Sequence, residues 1–219
     1  MTKPSFAVVL SGCGVNDGAE IHEAVLTLLS IDRAGGSYQC FAPDIAQRDV
    51  INHLTGQEVS APRNVLVESA RIARGKIKAL SAFDASQFDT LILPGGFGAA
   101  KNLCSFALDG PECSVNVDVE RAVKAMRAQG KPIGALCIAP VVLARVLGDV
   151  TVTIGTDAGT AAAIEQMGAH HVNKSHGEIV VDQAARVVTA ACYMLDATIG
   201  QVADGADAVV RELVKMVGR

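Results

Sequence analysis

Cys137 stands where an apolar run, Ile133 to Leu136, gives way to Val141, Leu143, Ala144 and Leu147 at helical spacing, with Gly148 as a stop. A side chain at such a strand-to-helix corner projects from the carboxyl edge of a sheet. There the unpaired N–H groups and the positive end of the following helix favour a thiolate and can receive an oxyanion. A nucleophilic thiol also needs a group to manage its proton. Glu20 and Glu23 begin the first amphipathic segment, three residues apart and therefore on nearly one face of a helix. Ala24 and Thr27 flank them, while Ile21, Val25, Leu28 and Leu29 form a separate stripe expected to seek the core. Pro94-Gly-Gly-Phe-Gly98 completes the set: the N–H groups of Gly95 and Gly96 are unobstructed by side chains and suit an oxyanion. Each component has a plainer reading, as a packed thiol, a pair of dipole complements and a tight turn. Their expected convergence on one sheet edge favours chemistry.

Other constellations are weaker. Gly12, Gly14 and Gly18 miss the dinucleotide-binding spacing by one residue, and the acidic residue expected on a second strand is not evident, so no cofactor is expected. Six cysteines at positions 13, 40, 104, 113, 137 and 192 contain no Cys-x-x-Cys, which argues against zinc and against a disulfide framework. Reduced thiols of this kind lead us to expect a cytoplasmic protein. Of the five histidines, none adjoins Cys137; His176-Gly-Glu178 superficially resembles a His-x-Glu pair but reads better as a surface turn, and His22 lies beside Glu23. Net charge is −4 with no basic block, and no apolar stretch reaches the roughly 20 residues of a membrane span. Neither nucleic acid nor a membrane is an expected partner.

The elements that would position these residues alternate. Phe6 to Leu10 reads as a buried strand, Ile21 to Leu29 as a helix ending near Gly35-Gly36, and Tyr38 to Ala42 as a second strand. Asp44 to Pro62 is polar and irregular, and Asn64 caps a helix reaching Arg74. Lys76 to Leu80 is a brief strand; Asp89 to Pro94 is a buried one that runs through the glycine loop into a helix expected to reach about Ala107. A helix over Val115–Gln129, the Cys137 corner, a strand over Thr151–Ile154 and a helix from Asp157 to Met167 follow. A hairpin, Ile179–Asp182 with Arg186–Ala190, and a closing helix from Asp196 to Val217 end the chain. The pattern predicts one domain over residues 1–219, a three-layer α/β/α sandwich with a mostly parallel sheet and ligands at the carboxyl ends of the strands.

Several segments together resemble the glyoxalase/deglycase branch of the PfpI superfamily, which has a flavodoxin-like, class I glutamine amidotransferase-like fold. The nearer resemblance is to its isoprenoid-biosynthesis glyoxalases. The segments are Val8 to Gly18, Glu20 to Leu29, Asp49 to Gly56, Leu93 to Leu103, Cys137-Ile-Ala-Pro140 and Thr153 to Asp157, and the likeness covers essentially the whole chain. It implies that Cys137 is the nucleophile, that Glu23 hydrogen-bonds it with Glu20 as the alternative, and that the amides of Gly96 and Ile138 bind an oxyanion. It implies a cofactor-independent conversion of a small dicarbonyl, glyoxal or methylglyoxal, to the hydroxy acid, with glycated amines as a further substrate class and a homodimer as the assembly. Ile138 departs from the many members that place a histidine after the cysteine, which argues against a protease-like Cys–His pair. Two other readings use the same residues. One is a redox-sensing or binding protein centred on Cys137; the other is an amidotransferase-like hydrolase.

Overall fold

The computed structural model describes residues 3–218. Seven strands form one sheet in the order β3-β2-β1-β4-β5-β9-β8. They are β1 (Ser5–Val9), β2 (Ser37–Ala42), β3 (Ile77–Ala79), β4 (Thr90–Leu93), β5 (Ile133–Leu136), β8 (Ile179–Asp182) and β9 (Val187–Ala190). All pair in parallel except β8, which returns antiparallel to β9 with Val180 opposite Thr189. Two short strands, β6 (Thr151–Val152) and β7 (His170–His171), pair with each other outside the sheet.

The strands read as near-continuous apolar runs because both faces of the sheet are covered, as parallel sheets require. Successive residues alternate between two cores. Phe6, Val8 and Ile92 pack with α1 (Ile21–Arg33), α2 (Val65–Ile72) and α7 (Ile199–Val217). Ala7, Val9, Leu91 and Leu93 pack with α4 (Val117–Ala128), α5 (Pro140–Leu147) and α6 (Ala158–Gln166). Phe41, Phe83 and Phe88 anchor the second core, with Phe41 edge-on to both partners at 5.5 Å. Side-chain caps fix where helices begin: Asn64 on α2, Asn116 on α4, Asp157 on α6, and a Thr198–Gln201 capping box on α7.

Three sequence expectations need correction. The helix expected to run from the glycine loop to Ala107 is broken: a π-turn over Ala99–Leu103 ends at Cys104, whose extended backbone bridges Val115, and only the short α3 (Phe106–Asp109) follows. The strand expected over Thr151–Ile154 contributes two residues to the side pairing with β7, a pairing with no sequence signal of its own. The third concerns α1. Its apolar stripe faces outward, with Ile21 42%, Val25 47% and Leu29 38% exposed, while Glu23, Ala24, Thr27 and Ile31 are buried. Amphipathic periodicity located the two faces, but the face carrying a glutamate is the one turned to the sheet.

Candidate functional site

Four loops leave neighbouring central strands at their carboxyl ends: Ser11–Gly18 after β1, Pro94–Gly98 after β4, the Cys137 corner after β5, and Ala191–Met194 after β9. They meet at one edge, where open α/β sheets hold ligands. Backbone bonds tie the first two loops together, from Phe97 N–H to Val15 O at 2.7 Å and from Gly98 N–H to Gly18 O at 2.9 Å. Asn102 braces the first loop by donating to the carbonyls of Ser11 and Asp17 at 2.9 and 3.0 Å.

Cys137 adopts φ 58°, a left-handed conformation that costs a non-glycine residue about 1–2 kcal/mol. Its N–H donates to Ala190 O at 2.9 Å, which fixes the corner against β9. The side chain is buried, 7% exposed, and still lines a cavity of about 400 Å³. Glu23 is fully buried beside it, with its carboxylate next to the thiol. Its Oε2 accepts from Gly95 N–H at 2.9 Å and its Oε1 from Tyr193 N–H at 3.2 Å, so the carboxylate is held rigidly by two backbone donors. Gly95 permits this approach. A Cβ there would lie 2.4 Å from Cys137 Cβ, 2.7 Å from Glu23 Oε2 and 2.9 Å from Cys137 Sγ, so any side chain would displace the pair. At Gly96, with φ 93°, a Cβ would fall 2.3 Å from Glu20 N.

The expected site residues take distinct places. Glu20 is the N-cap of α1, and its Oε2 accepts from Glu23 N–H at 2.7 Å. Glutamate is not a favoured capping residue, so this cap holds Glu23 in place at some cost to helix propensity. Gly95 has its N–H committed to Glu23, which corrects its expected role as an oxyanion donor. Gly96 N–H points at the Cys137 sulfur. Ile138 N–H makes no hydrogen bond among the described residues and stands beside the thiol. His176 Nε2 donates to Asp196 O, 3.0 Å away, and His22 Nδ1 lies 2.9 Å from Tyr193 Oη; neither partners Cys137.

Electrostatics differ from the expected acidic thiol. Burial, reinforced by the Glu23 charge, pushes the Cys137 thiol well above its ordinary value, against the opposing pull of Gly96 N–H. Burial and the charge of Glu20 raise Glu23 to about 7. The resting pair is therefore a protonated thiol set against a carboxylate whose affinity for protons suits a base at neutral pH. Enclosure in the loop cage outweighs the helix end, because the sulfur lies within reach of a second negative group and away from water.

Three contributors were not picked out in the sequence. Tyr193 orients Glu23 through its backbone and lines the cavity, Met194 adds an apolar wall, and Asp157 stands at the rim as the cap of α6. Only Asp157 had a local signal, as a helix cap. A backbone donor such as Tyr193 leaves no trace in residue type.

The DJ-1/PfpI family model matches residues 14–197, a span that includes Glu23, the Gly95–Gly96 loop and Cys137. The chain belongs to the DJ-1/PfpI family. Over 223 aligned residues it is 49% identical to the human glutamine amidotransferase-like class 1 domain-containing protein 3, mitochondrial, covering 97% of this chain and 83% of that protein. It is 35% identical to the zebrafish ES1 protein, mitochondrial, covering 98% and 87% of the two chains. A crystal structure of an isoprenoid biosynthesis protein with an amidotransferase-like domain from Ehrlichia chaffeensis superposes with TM-score 0.90 at 36% identity, covering 96% of this chain and 99% of that one. The fold is thus the flavodoxin-like, class I glutamine amidotransferase-like α/β fold expected from the sequence. The cytoplasmic expectation is overturned by the mitochondrial relatives. Unpaired cysteines carry no address within the cell.

Proposed function

We propose that this DJ-1/PfpI protein is a cysteine-dependent glyoxalase that converts 2-oxoaldehydes, glyoxal and methylglyoxal among them, into 2-hydroxy acids without an added thiol. The observation that carries the reading is the meeting of the Cys137 thiol, the Glu23 carboxylate and the Gly96 N–H at the wall of an open apolar cavity. The Cys137 sulfur bonds to the aldehyde carbon while its proton passes to Glu23, and the resulting oxyanion is received by the amides of Gly96 and Ile138. Glu23 returns that proton to the oxyanion, giving a neutral hemithioacetal. It then removes the hydrogen from the former aldehyde carbon as a proton and delivers it to the neighbouring carbonyl carbon through an enediol. The aldehyde carbon is oxidised by two electrons and its neighbour reduced by two, leaving a 2-hydroxy thioester on Cys137. Water cleaves the carbon–sulfur bond, releases the acid and restores the thiol.

The alternatives draw less support. Peroxide sensing relies on an accessible thiolate, and Cys137 is buried with its thiol raised. Amidotransferase chemistry calls for a histidine at the cysteine, and the nearest candidates bind elsewhere. A homodimer completes the reading, and the exposed Ile21, Val25 and Leu29 stripe of α1 suits a second copy; light scattering reporting a monomer at micromolar concentration would remove it. The direct test is consumption of glyoxal and methylglyoxal by the wild-type protein and by Cys137→Ala, without added thiol or metal. Full activity in Cys137→Ala rules the reading out.

A further inference from the structure

The cavity beside Cys137 is much larger than glyoxal requires. Its volume of about 400 Å³ falls in the range of sites that enclose whole organic ligands, whereas glyoxal has four heavy atoms and no apolar group. Its lining is mainly apolar, with Phe97, Phe106, Ile138 and Met194 set beside the polar Thr160 and Tyr193. The apolar part of that lining offers little to a dialdehyde and much to a hydrocarbon substituent.

Charge in the cavity has one sign. Asp157 lines the rim, and its carboxyl is held below the usual carboxylate range by the N–H and hydroxyl of Thr160, so it is ionised at neutral pH. Its Oδ1 accepts from Thr160 N–H at 2.7 Å. Glu20 and Glu23 lie behind the thiol. Among the described residues, no lysine or arginine lines the cavity. Lys101 sits 5.5 Å from the ring centroid of the cavity-lining Phe97, but its ammonium is bonded to Asp49 Oδ2 at 2.7 Å and to Asn16 O at 3.1 Å. A carboxylate seated against the apolar wall would lose hydration there and face the exposed Asp157 carboxylate at the rim, with no cationic side chain among the described lining residues to offset it.

Building on the glyoxalase reading, we propose that the site is built for uncharged 2-oxoaldehydes bearing an apolar substituent, an aryl or branched alkyl group seated against Phe97, Phe106 and Met194, and that Asp157 is a specificity determinant rejecting substrates with a carboxylate. The aldehyde end reaches Cys137, the substituent fills the apolar wall, and a carboxylate on its far side meets Asp157.

Turnover and chemical modification test this independently. In turnover, phenylglyoxal is expected to exceed glyoxal in kcat/KM by about tenfold or more once each is normalised to its uncatalysed addition to a small thiol, because apolar pockets discriminate on that scale. The analogue 4-carboxyphenylglyoxal is expected to fall well below phenylglyoxal, and Asp157→Asn, which preserves the helix cap, should narrow that gap. In modification, Cys137 is expected to react faster with neutral iodoacetamide than with anionic iodoacetate by more than a free thiol does, and Asp157→Asn should shrink the excess. Turnover with glyoxal equal to or better than phenylglyoxal overturns the substituent preference while leaving the glyoxalase reading standing. Absence of turnover with every dicarbonyl overturns the glyoxalase reading, and the charge selectivity then stands or falls on the two alkylating agents. An Asp157→Asn protein with unchanged discrimination in both assays overturns the role of Asp157.

Discussion

Two cysteines at the same edge of the sheet share one backbone device and differ in everything around it. Cys137 follows β5 with φ 58°, and Cys192 follows the adjacent β9 with φ 44°; each is 7% exposed. Both therefore hold a left-handed conformation that non-glycine residues avoid. Cys192 turns its sulfur toward α7, where it lies 3.3 Å from the position a Cβ would take on Gly205. Cys137 turns its sulfur toward Glu23 and the Gly96 N–H and lines the cavity. Strain at a strand end thus presents a side chain, and only the groups it is presented to make it a reagent. Burial raises both thiols, but Cys137 has the Glu23 carboxylate and the Gly96 N–H directed at its sulfur, whereas Cys192 feels Glu23 and Glu20 through their charge alone.

Substitutions can break this contrast. Cys137→Ala is expected to abolish glyoxal and methylglyoxal turnover, a loss of at least about 10³-fold in kcat/KM, since removing a nucleophile eliminates the covalent route. Glu23→Gln keeps the shape but not the base and is expected to cost about 10²–10⁴-fold, the usual range for general acid–base groups. Gly95→Ala forces Cys137 and Glu23 apart by steric contact alone and is expected to cost about 10²-fold, as small misplacements of reacting groups do. Cys192→Ala is expected to leave turnover unchanged and to lower stability by about 1 kcal/mol through a small packing defect. Steady-state kinetics on the four proteins, with thermal unfolding to check that each is folded, would rank them. Equal losses at Cys137 and Cys192 would erase the comparison.

The contrast also explains what was legible beforehand. β1, β4 and β5 announced themselves because strands buried on both faces need uninterrupted apolar runs. The Cys137 corner was readable as a change of period, and Glu23 as an acidic residue at the right turn of α1. The orientation of α1 was not. An apolar stripe is ordinarily an inward stripe, and here Ile21, Val25 and Leu29 were turned out so that Glu23 could lie under the sheet edge. The state of the thiol was misjudged for a related reason. Helix-end logic sees only local dipoles, whereas enclosure by Glu23, Gly95 and Tyr193 comes from segments 72 and 170 residues away from Glu23 in the chain. Contacts made by backbone N–H groups, including those of Gly96 and Tyr193, are invisible to residue type. The division of labour between the glutamates needed coordinates too, since two carboxylates three residues apart look equivalent until one caps the helix and the other meets the sulfur.

The pH dependence of kcat/KM for methylglyoxal bears most directly on the claim that Glu23 serves Cys137. Glu23 must be ionised to accept the thiol proton, and its affinity is raised to about 7 by burial and by Glu20. Activity is therefore expected to rise about tenfold per pH unit below 7, to level off above it, and to lose that limb in Glu23→Gln. A wild-type profile flat from pH 5 to 8, or a Glu23→Gln protein that keeps both the limb and the rate, would contradict the account.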